Sequence, residues 1–327
     1  MPDSPGFPSR RSMSTSFSLH PAGPFSLAAA SRFGRGFTPS PTAGDEDEMR
    51  LAFPCEDADW QSVGVRLTQR AGAVVGEVTI ANDADGRVVE AIGEQCRRIL
   101  SLDIDAAGFP EVGRRDEVVR VLQERYPGLR PVLFQSPYEA AAWAIIGQRI
   151  RITQAAAIKA RISEALGERL TVGGVSMTAF PAPARLTALR AIPGLTDRKV
   201  ERLQALAQAA LSGDLHPTAL RAGSHDERLA KLQVLPGIGP FSAELILVRG
   251  AGEPDHFPEH ERRLQQAIRR AYALPDHTGI DELRELAEAW RPFRSWVSVL
   301  LRTWLEDETG DVRRGRPAAL RPMPLRL

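Results

Sequence analysis

The chain has 327 residues, and its 42 Lys and Arg against 41 Asp and Glu give a formal charge of +1. That length allows one large domain or two to three small ones, and a composition of 43% hydrophobic and 25% charged residues is typical of a soluble globular protein. The charge balance excludes a uniformly basic, histone-like protein, but it leaves room for a local basic face that binds nucleic acid.

The N-terminal region is the part of the chain least suited to folding. It is rich in Ser, Pro, Gly and Arg and ends at the acidic run Asp45–Glu48. Because its few apolar side chains cannot offset the entropy lost on ordering, we predict a disordered tail over residues 1–46. A basic targeting tail is the alternative interpretation.

A mixed pattern over residues 47–131 predicts a small α+β domain. Two partly alternating, β-branched segments predict strands, and apolar residues at helical spacing predict helices. The predicted strands cover Val63–Leu67 and Val74–Ile80 with a turn at Asn82–Gly86, and the predicted helices cover Val88–Leu102 and Arg115–Tyr126.

Residues 132–305 have the pattern of a helical domain, in which apolar stripes alternate with short Pro and Gly breaks. The predicted helices cover Pro137–Gln148, Ile152–Leu166, Leu186–Leu189, Lys199–Leu211, Asp226–Gln233, Pro240–Arg249, Arg262–Ala273, Asp281–Trp290 and Arg294–Leu305. The pattern of residues 306–327, which include five arginines, predicts a solvated basic tail.

The segment Leu235-Pro-Gly-Ile-Gly-Pro-Phe-Ser-Ala243 connects two of these helices and is the most informative stretch of the chain. Gly237 and Gly239 allow a sharp turn and a close approach to a ligand, and Ile238 would anchor the loop to the core. The amides at the following helix start would face an anion such as a DNA phosphate. Taken alone, the same pattern would also fit a plain helix–helix turn.

A second stretch, Asp255-His-Phe-Pro-Glu-His-Glu261, leads into a later helix. Glu259 and Glu261 lie at the start of that helix, where the helix dipole favours a carboxylate. Helix capping would explain this placement by itself. A carboxylate fixed beside a DNA-binding hairpin would also stabilise the oxocarbenium-like state through which an N-glycosidic bond is cleaved.

Together with further blocks, these two segments resemble the helix–hairpin–helix DNA glycosylases, specifically the bacterial DNA-3-methyladenine glycosylase II group. The resemblance covers roughly residues 51–305. The further blocks are Ser136-Pro-Tyr-Glu-Ala with Ala144-Ile-Ile-Gly-Gln148, Ile192-Pro-Gly-Leu195 and Trp290-Arg-Pro-Phe-Arg-Ser295. The resemblance implies a mainly α fold with an N-terminal α+β module, in which two helical subdomains flank a cleft.

The resemblance also implies roles for individual residues. Arg149, directly after Gln148, resembles the wedge that fills the gap left by a flipped base, and Glu261 would be the catalytic carboxylate. The residues assigned to the binding of double-stranded DNA are Gly237, Ile238, Gly239, Phe241, Gln148 and Arg149.

The chain departs from the family pattern at several of these positions. Glu261 stands where the family typically has Asp, which moves the carboxylate by about 1 Å and can cost on the order of 10²-fold in rate. In the base pocket, Phe241 stands where Trp is frequent and Leu245 where a Tyr can lie. Arg302 stands where a Trp can stack on the base, and its charge would oppose an alkylated purine cation. Trp143 could replace part of the lost aromatic surface, although its helical spacing favours a core position.

Two branches of the family are excluded on residues. A glycosylase that also cuts the strand would need a Lys at the position of Phe241 to form a Schiff base. The branch with an iron–sulfur cluster needs four cysteines, whereas this chain has Cys55 and Cys96 only. His256 and His260 have no partner at metal-ligand spacing, so no metal site and no cofactor are predicted, apart from a monovalent cation that hairpin carbonyls could hold.

We therefore predict a monofunctional hydrolase that removes alkylated purines such as 3-methyladenine from double-stranded DNA. The alternatives are a non-catalytic DNA-binding or lesion-sensing protein of the same fold, and a helical interaction protein that binds no nucleic acid. No apolar run reaches the ~18 residues of a membrane span, so we expect a cytoplasmic protein without a membrane partner. We also expect a monomer that is associated with the bacterial nucleoid.

Overall fold

The structure is a computed structural model that describes residues 15–37, 47–80 and 86–310. Its strands are β1 (Thr15–Leu19), β2 (Glu48–Cys55), β3 (Gln61–Arg70), β4 (Ala73–Thr79), β5 (Arg169–Val172) and β6 (Val175–Thr178). The first four form an antiparallel sheet in the order β1-β4-β3-β2, and β5 pairs with β6 in a separate hairpin.

Helices make up most of the rest of the described chain. They are α1 (Leu27–Phe37), α2 (Gly86–Ile99), α3 (Phe109–Arg115), α4 (Glu117–Arg125), α5 (Pro137–Gly147), α6 (Ile152–Leu166), α7 (Pro183–Leu186), α8 (Asp197–Leu211), α9 (Pro217–Arg221), α10 (His225–Gln233), α11 (Pro240–Leu245), α12 (Arg262–Ala271), α13 (Ile280–Ala287) and α14 (Arg294–Thr309). A π-helical segment, Ile246–Ala251, continues α11, and a 3₁₀ turn, Glu288–Trp290, follows α13.

Most predicted elements are present with shifted ends. The helix Ile152–Leu166 has the predicted bounds, whereas the predicted helix Pro240–Arg249 changes to π-helix after Leu245. The helix predicted over Leu186–Leu189 lies earlier in the chain, because α7 covers Pro183–Leu186. The turn predicted at Asn82–Gly86 falls almost entirely on residues 81–85, which lie outside the described residues.

The β5–β6 hairpin packs on one face of the four-stranded sheet. Alternation in β3 buries Val63, Val65 and Leu67, as expected for a strand with one face on a core. Gly64 lies between them, and a Cβ there would come within 2.4 Å of Val172 Cγ2. A glycine is therefore required where the hairpin approaches the sheet most closely.

The prediction of a disordered tail is wrong for residues 15–37. β1 pairs with β4 over its whole length, and α1 buries Leu27, Ala30 and Phe33. Arg130 fixes the connection between them, because its guanidinium donates to the carbonyl groups of Pro24 and Ala22 at 2.9 and 2.5 Å. The order of this segment comes from tertiary contacts that its own composition does not reveal; residues 1–14 and 38–46 lie outside the described ranges.

Two large hydrophobic cores organise the described chain, and a third, small cluster lies between the sheet and the β5–β6 hairpin. The first joins the four-stranded sheet, α1 and α2 to the C-terminal helices α12 and α14. The second lies within residues 134–251 and contains α5, α6, α8 and the hairpin helices. The predicted division at residues 131–132 therefore does not separate the cores, because residues 257–305 complete the first one. The two cores flank a cleft, so the predicted architecture of two helical subdomains is confirmed.

The C-terminal boundary also differs from the prediction. Residues 306–309, predicted as part of a basic tail, form the last turn of α14, and Glu306 is buried there. Residues 311–327, with the arginines of the predicted tail, lie outside the described part. Among the described residues, no helix combines the length and apolarity needed to cross a bilayer.

Candidate active site

The hairpin adopts the predicted turn between α10 and α11. Gly237 has a φ of +89°, which favours glycine, and a Cβ there would lie 2.7 Å from Arg202 Cδ. The amide of Ile238 donates to Leu235 O at 3.0 Å, and its side chain is buried. A Cβ added to Gly239 would meet no atom within 4 Å. The turn before α11 is therefore packed tightly against Arg202 at Gly237, whereas the space beside Gly239, at the start of α11, is open.

Gln148 connects the hairpin to the loop that follows α5. Its Nε2 donates to Gly237 O at 2.5 Å, and its Oε1 accepts from Arg202 Nη1 at 2.8 Å. Lys199 Nζ donates to the backbone carbonyls of Ile146 and Gln148 at 2.8 and 2.9 Å. The side chain predicted to contact DNA is thus engaged within the protein, where it fixes the hairpin and the loop to each other.

Arg149 follows in that loop with a left-handed backbone conformation, φ +58°. Such a conformation costs on the order of 1–3 kcal/mol for a non-glycine residue and is held only where the surroundings impose it. The hydrogen bonds around Gln148 supply that constraint. The Arg149 side chain is exposed and lies at the rim of a cleft, the position that a wedge residue needs.

The cleft has a volume of about 740 Å³ and lies between the two cores. The predicted residues that line it are Trp143, Gln148, Arg149, Phe241, Leu245, Glu261 and Arg302. Phe241 is 45% exposed there, so much of its ring is open to the cleft. Gly237, Ile238 and Gly239 do not line the cleft and lie beside it on the hairpin.

Glu261 is the N-cap residue of α12 and faces the cleft. One carboxylate oxygen accepts from the backbone amide of Arg263 at 2.9 Å, which is the capping contact that the sequence suggested. The other oxygen, Oε2, lies 3.5 Å from Arg302 Nε. The side chain keeps 27% of its exposure, so a substrate in the cleft can still reach the carboxylate.

Arg302 enters the cleft from α14, opposite α11. Burial lowers the pKa of its guanidinium, although the neighbouring charge of Glu261 acts in the opposite direction. Its Nη1 is buried without a hydrogen-bond partner among the described residues. The hydrogen-bond donors of Arg302 are therefore incompletely satisfied within the described part of the chain.

Sequence reasoning missed one side of the cleft. Arg249 lies 5.0 Å from the ring of Phe33 and 5.9 Å from that of Phe134, and all three line the cleft. Burial, helped by the charge of Arg302, lowers the pKa of Arg249 to about 10. The spacing of Leu27, Ala30 and Phe33 was the available signal for this side, since residues three apart lie on one helix face.

The remaining cleft residues outside the prediction include Glu244, Ser295, Ser298 and Val299. No group of three or more His, Cys, Asp or Glu side chains in the described ranges is arranged to hold a metal ion. Cys55 and Cys96 are both buried as free thiols, and burial raises the pKa of Cys55 to about 12. Neither cysteine lines the cleft.

No protein-family model matches the chain. DNA-3-methyladenine glycosylase 2 of Escherichia coli K12 is 33% identical over 221 residues, which are 66% of this chain and 73% of that protein. DNA-3-methyladenine glycosylase of Bacillus subtilis is 26% identical over 216 residues, 65% of this chain and 71% of that protein.

Among solved structures, 3-methyladenine DNA-glycosylase from Archaeoglobus fulgidus superposes with a TM-score of 0.72 at 23% identity, covering 89% of this chain and 98% of that one. This likeness shows the shared fold. The sequence relationship to the Escherichia coli protein, which covers 73% of that protein, shows that the two share a common ancestor. The chain belongs to the helix–hairpin–helix family of DNA-3-methyladenine glycosylases.

Proposed function

We propose that this chain is a monofunctional glycosylase that hydrolyses the N-glycosidic bond of alkylated purines such as 3-methyladenine in double-stranded DNA. The observation that carries the proposal is that Arg149, Phe241 and Glu261 line one cleft, beside a hairpin with open space at Gly239. A DNA strand held by the hairpin would place a flipped nucleotide within reach of the carboxylate.

In this proposal the DNA backbone rests on the hairpin. The amides of Gly237 and Gly239 would face a phosphate at the start of α11, where the helix dipole favours an anion. The amide of Ile238 is engaged with Leu235 O, so the contribution of Ile238 is to anchor the hairpin. Gln148 acts indirectly, because it holds Gly237 O and the wedge loop together. The expected grip is local, which agrees with a net charge of only +1 for the whole chain.

Arg149 would enter the gap that the flipped base leaves in the duplex. Its guanidinium can stack on neighbouring bases and contact phosphate at the same time. The flipped base would enter the cleft, where Phe241, Leu245 and Trp143 offer apolar surface. The large exposed area of Phe241 then has a function, since a base would cover it.

Glu261 would stabilise the positive charge that develops on the sugar and orient the attacking water on the open side of the ring. Breaking the bond leaves the base with the electron pair, and addition of the water with loss of a proton completes hydrolysis. The three lysines of the sequence are Lys159, Lys199 and Lys231, and none lines the cleft. No lysine amine is therefore placed to form a Schiff base, which supports a single hydrolytic function.

The proposal requires no metal or organic cofactor, and a monovalent cation on the hairpin carbonyls stays a prediction. We expect the protein to act as a monomer on the chromosome in the cytoplasm.

A second candidate function, lesion binding without catalysis, is favoured by one observation: Glu261 is paired with Arg302, which partly neutralises the carboxylate that the reaction needs.

Base release from alkylated duplex DNA tests the proposal. We expect abasic sites without strand breaks from the wild type, and a fall of about 10² to 10³-fold for Glu261→Gln. Glu285→Gln, which changes an exposed carboxylate on α13, is the matched control and should retain the wild-type rate. Equal release by Glu261→Gln would remove Glu261 from the mechanism. Lesion binding by the wild type with a marked salt dependence but no abasic product would favour the second candidate.

A further inference from the structure

Glu244 is a buried carboxylate that neither packing nor the proposed chemistry explains. It lies on α11, three residues after Phe241, is 3% exposed and contributes to the cleft wall. Burying a carboxylate costs several kcal/mol unless hydrogen bonds compensate for the lost water. The partners of this side chain therefore indicate why it is there.

The partners lie in the loop directly before Glu261. The two oxygens of Glu244 accept from the backbone amides of Glu259 and His260 at 3.2 and 3.0 Å. His260 Nδ1 lies 2.9 Å from the same carboxylate, and His256 Nε2 lies 3.6 Å from it. One side chain of the hairpin helix thus holds the loop at several points.

Two other contacts make this loop stiff. Glu259 forms a two-point ion pair with Arg284, at 2.6 and 2.8 Å, which fixes its far side to α13. His256, which is 5% exposed, stacks on His225 of α10 with ring centroids 4.5 Å apart. The loop is consequently held between both helices of the hairpin and the C-terminal helices.

Glu244 is charged in this setting. Burial by itself would raise the pKa of Glu244, but the neighbouring imidazoles of His256 and His260 and the hydrogen bond from the His260 amide outweigh it and leave the pKa below its ordinary value. A charged acceptor binds amide donors about twice as strongly as a neutral one. The loop amides are therefore held by a strong contact, which a neutral side chain would not reproduce.

We propose that Glu244 is a positioning residue, which sets the place of the Glu261 carboxylate relative to the DNA-binding hairpin. The amide that Glu244 holds on His260 is one residue from Glu261, so the loop cannot shift relative to α11 without breaking bonds to a buried charge. Glu244 does not touch the reacting atoms. This inference rests on the proposed function of Glu261, since a displacement of about 1 Å matters only if that carboxylate acts on the sugar.

The test separates positioning from catalysis by comparing two abasic-site analogues in duplex DNA. A pyrrolidine analogue carries a positive charge where the sugar cation would form, whereas a tetrahydrofuran analogue is neutral. We expect the wild type to prefer the pyrrolidine duplex and Glu261→Gln to lose that preference. Glu244→Gln should reduce the preference at least tenfold and lower the single-turnover rate of base release by a similar factor. Its affinity for the tetrahydrofuran duplex should stay within twofold.

Glu139→Gln supplies the matched control, because Glu139 is a buried carboxylate in α5 that is paired with Lys159 at 2.6 Å. It should keep the preference for the pyrrolidine duplex even if it lowers the melting temperature. Glu244→Asp keeps the charge but shortens the side chain, so we expect a smaller loss of preference, about threefold. If Glu244→Gln does not fold, this variant decides the question by the same measurement.

An undiminished pyrrolidine preference in folded Glu244→Gln, or in Glu244→Asp, would overturn the proposal. So would an undiminished preference in Glu261→Gln, because there would then be no carboxylate effect to position. A wild type that prefers the pyrrolidine duplex but releases no alkylated base would end the proposed function for those lesions. The positioning role would in that case still be decided by the binding comparison.

Discussion

Oε2 of Glu261 lies 3.5 Å from Nε of Arg302, and both side chains are partly buried, at 27% and 17% exposure. Partly buried charges are screened less by salt than charges in open water. The sequence suggested that Arg302 would oppose a cationic base. In the structure the guanidinium of Arg302 is paired with Glu261, the candidate catalytic carboxylate.

This pairing predicts the effect of removing the charge. Arg302→Met keeps much of the side-chain volume but removes one positive charge from the cleft. The rate of release of a cationic lesion such as 7-methylguanine should therefore rise relative to that of neutral hypoxanthine. At an effective dielectric constant near 20, a unit charge about 12 Å away contributes about 1.4 kcal/mol, so we expect a change of at least about tenfold in that ratio. Single-turnover rates on the two duplexes measure it.

Arg87→Met, which alters an exposed arginine on α2, is the control for that comparison. A rate ratio that is the same in Arg302→Met and Arg87→Met would show that Arg302 does not affect the choice of base.

The two hairpin glycines should differ in their tolerance of a methyl group. Gly237→Ala forces a side chain into a left-handed conformation and within 2.7 Å of Arg202 Cδ, which should lower the free energy of unfolding by about 1–2 kcal/mol. Gly239→Ala has φ −99° and open space, so its stability should stay within about 0.5 kcal/mol of the wild type. Urea denaturation of both variants decides the point, and equal losses would contradict the role of the turn geometry.

Arg130 should be essential for the N-terminal segment. It is 1% exposed and donates to the carbonyls of Pro24, Ala22, Ser101 and Ile104. Arg130→Met would remove this donor from the four carbonyl groups, of which Ser101 O is buried and Ala22 O keeps the amide of Ala106 as a partner. The loss should cost about 1–3 kcal/mol. We expect a lower denaturation midpoint and faster proteolysis within residues 15–37. Unchanged proteolysis would mean that β1 and α1 are held by their apolar contacts alone.

The lowered pKa of Glu244 predicts a pH dependence of stability. A carboxylate whose folded pKa lies below its ordinary value of 4.5 stabilises the fold above that value, and this contribution is lost as the pH falls through the folded pKa. The gap in melting temperature between wild type and Glu244→Gln should therefore be full near pH 7 and shrink below pH 4.5. A gap that is constant down to pH 3 would show that the charge of Glu244 does not contribute to stability.

Apolar spacing and the placement of glycine and proline were sufficient to predict elements whose structure depends on neighbouring residues in the sequence. The helix Ile152–Leu166, the strands β3 and β4, and the turn at Gly237 follow from apolar spacing and from glycine and proline placement. β1 and α1 were missed because their order depends on pairing with β4 and on Arg130, which is far away in sequence. The apolar spacing in α1 was visible but was outweighed by the surrounding Ser, Pro and Gly.

The candidate site was predictable to a similar degree. Resemblance and spacing brought Glu261, Phe241, Arg149 and Arg302 to one cleft, as the structure has them. They could not provide Phe33, which reaches the cleft only because the N-terminal segment folds against the second half of the chain. The pairing of Glu261 with Arg302 was equally hidden, since it depends on how α14 lies beside α12.

The first core has a consequence for how the protein is made. It unites β1 and α1 with α14, and Tyr126 and Arg125 contact Asp307 and Glu308 across more than 180 positions. Such distant contacts slow folding, because the chain between them must be closed before they contribute. A ribosome-bound chain therefore exposes the apolar face of its sheet until the last helix has been synthesised. We expect the nascent protein to depend on chaperones during that interval, while the second core, residues 134–251, can already form.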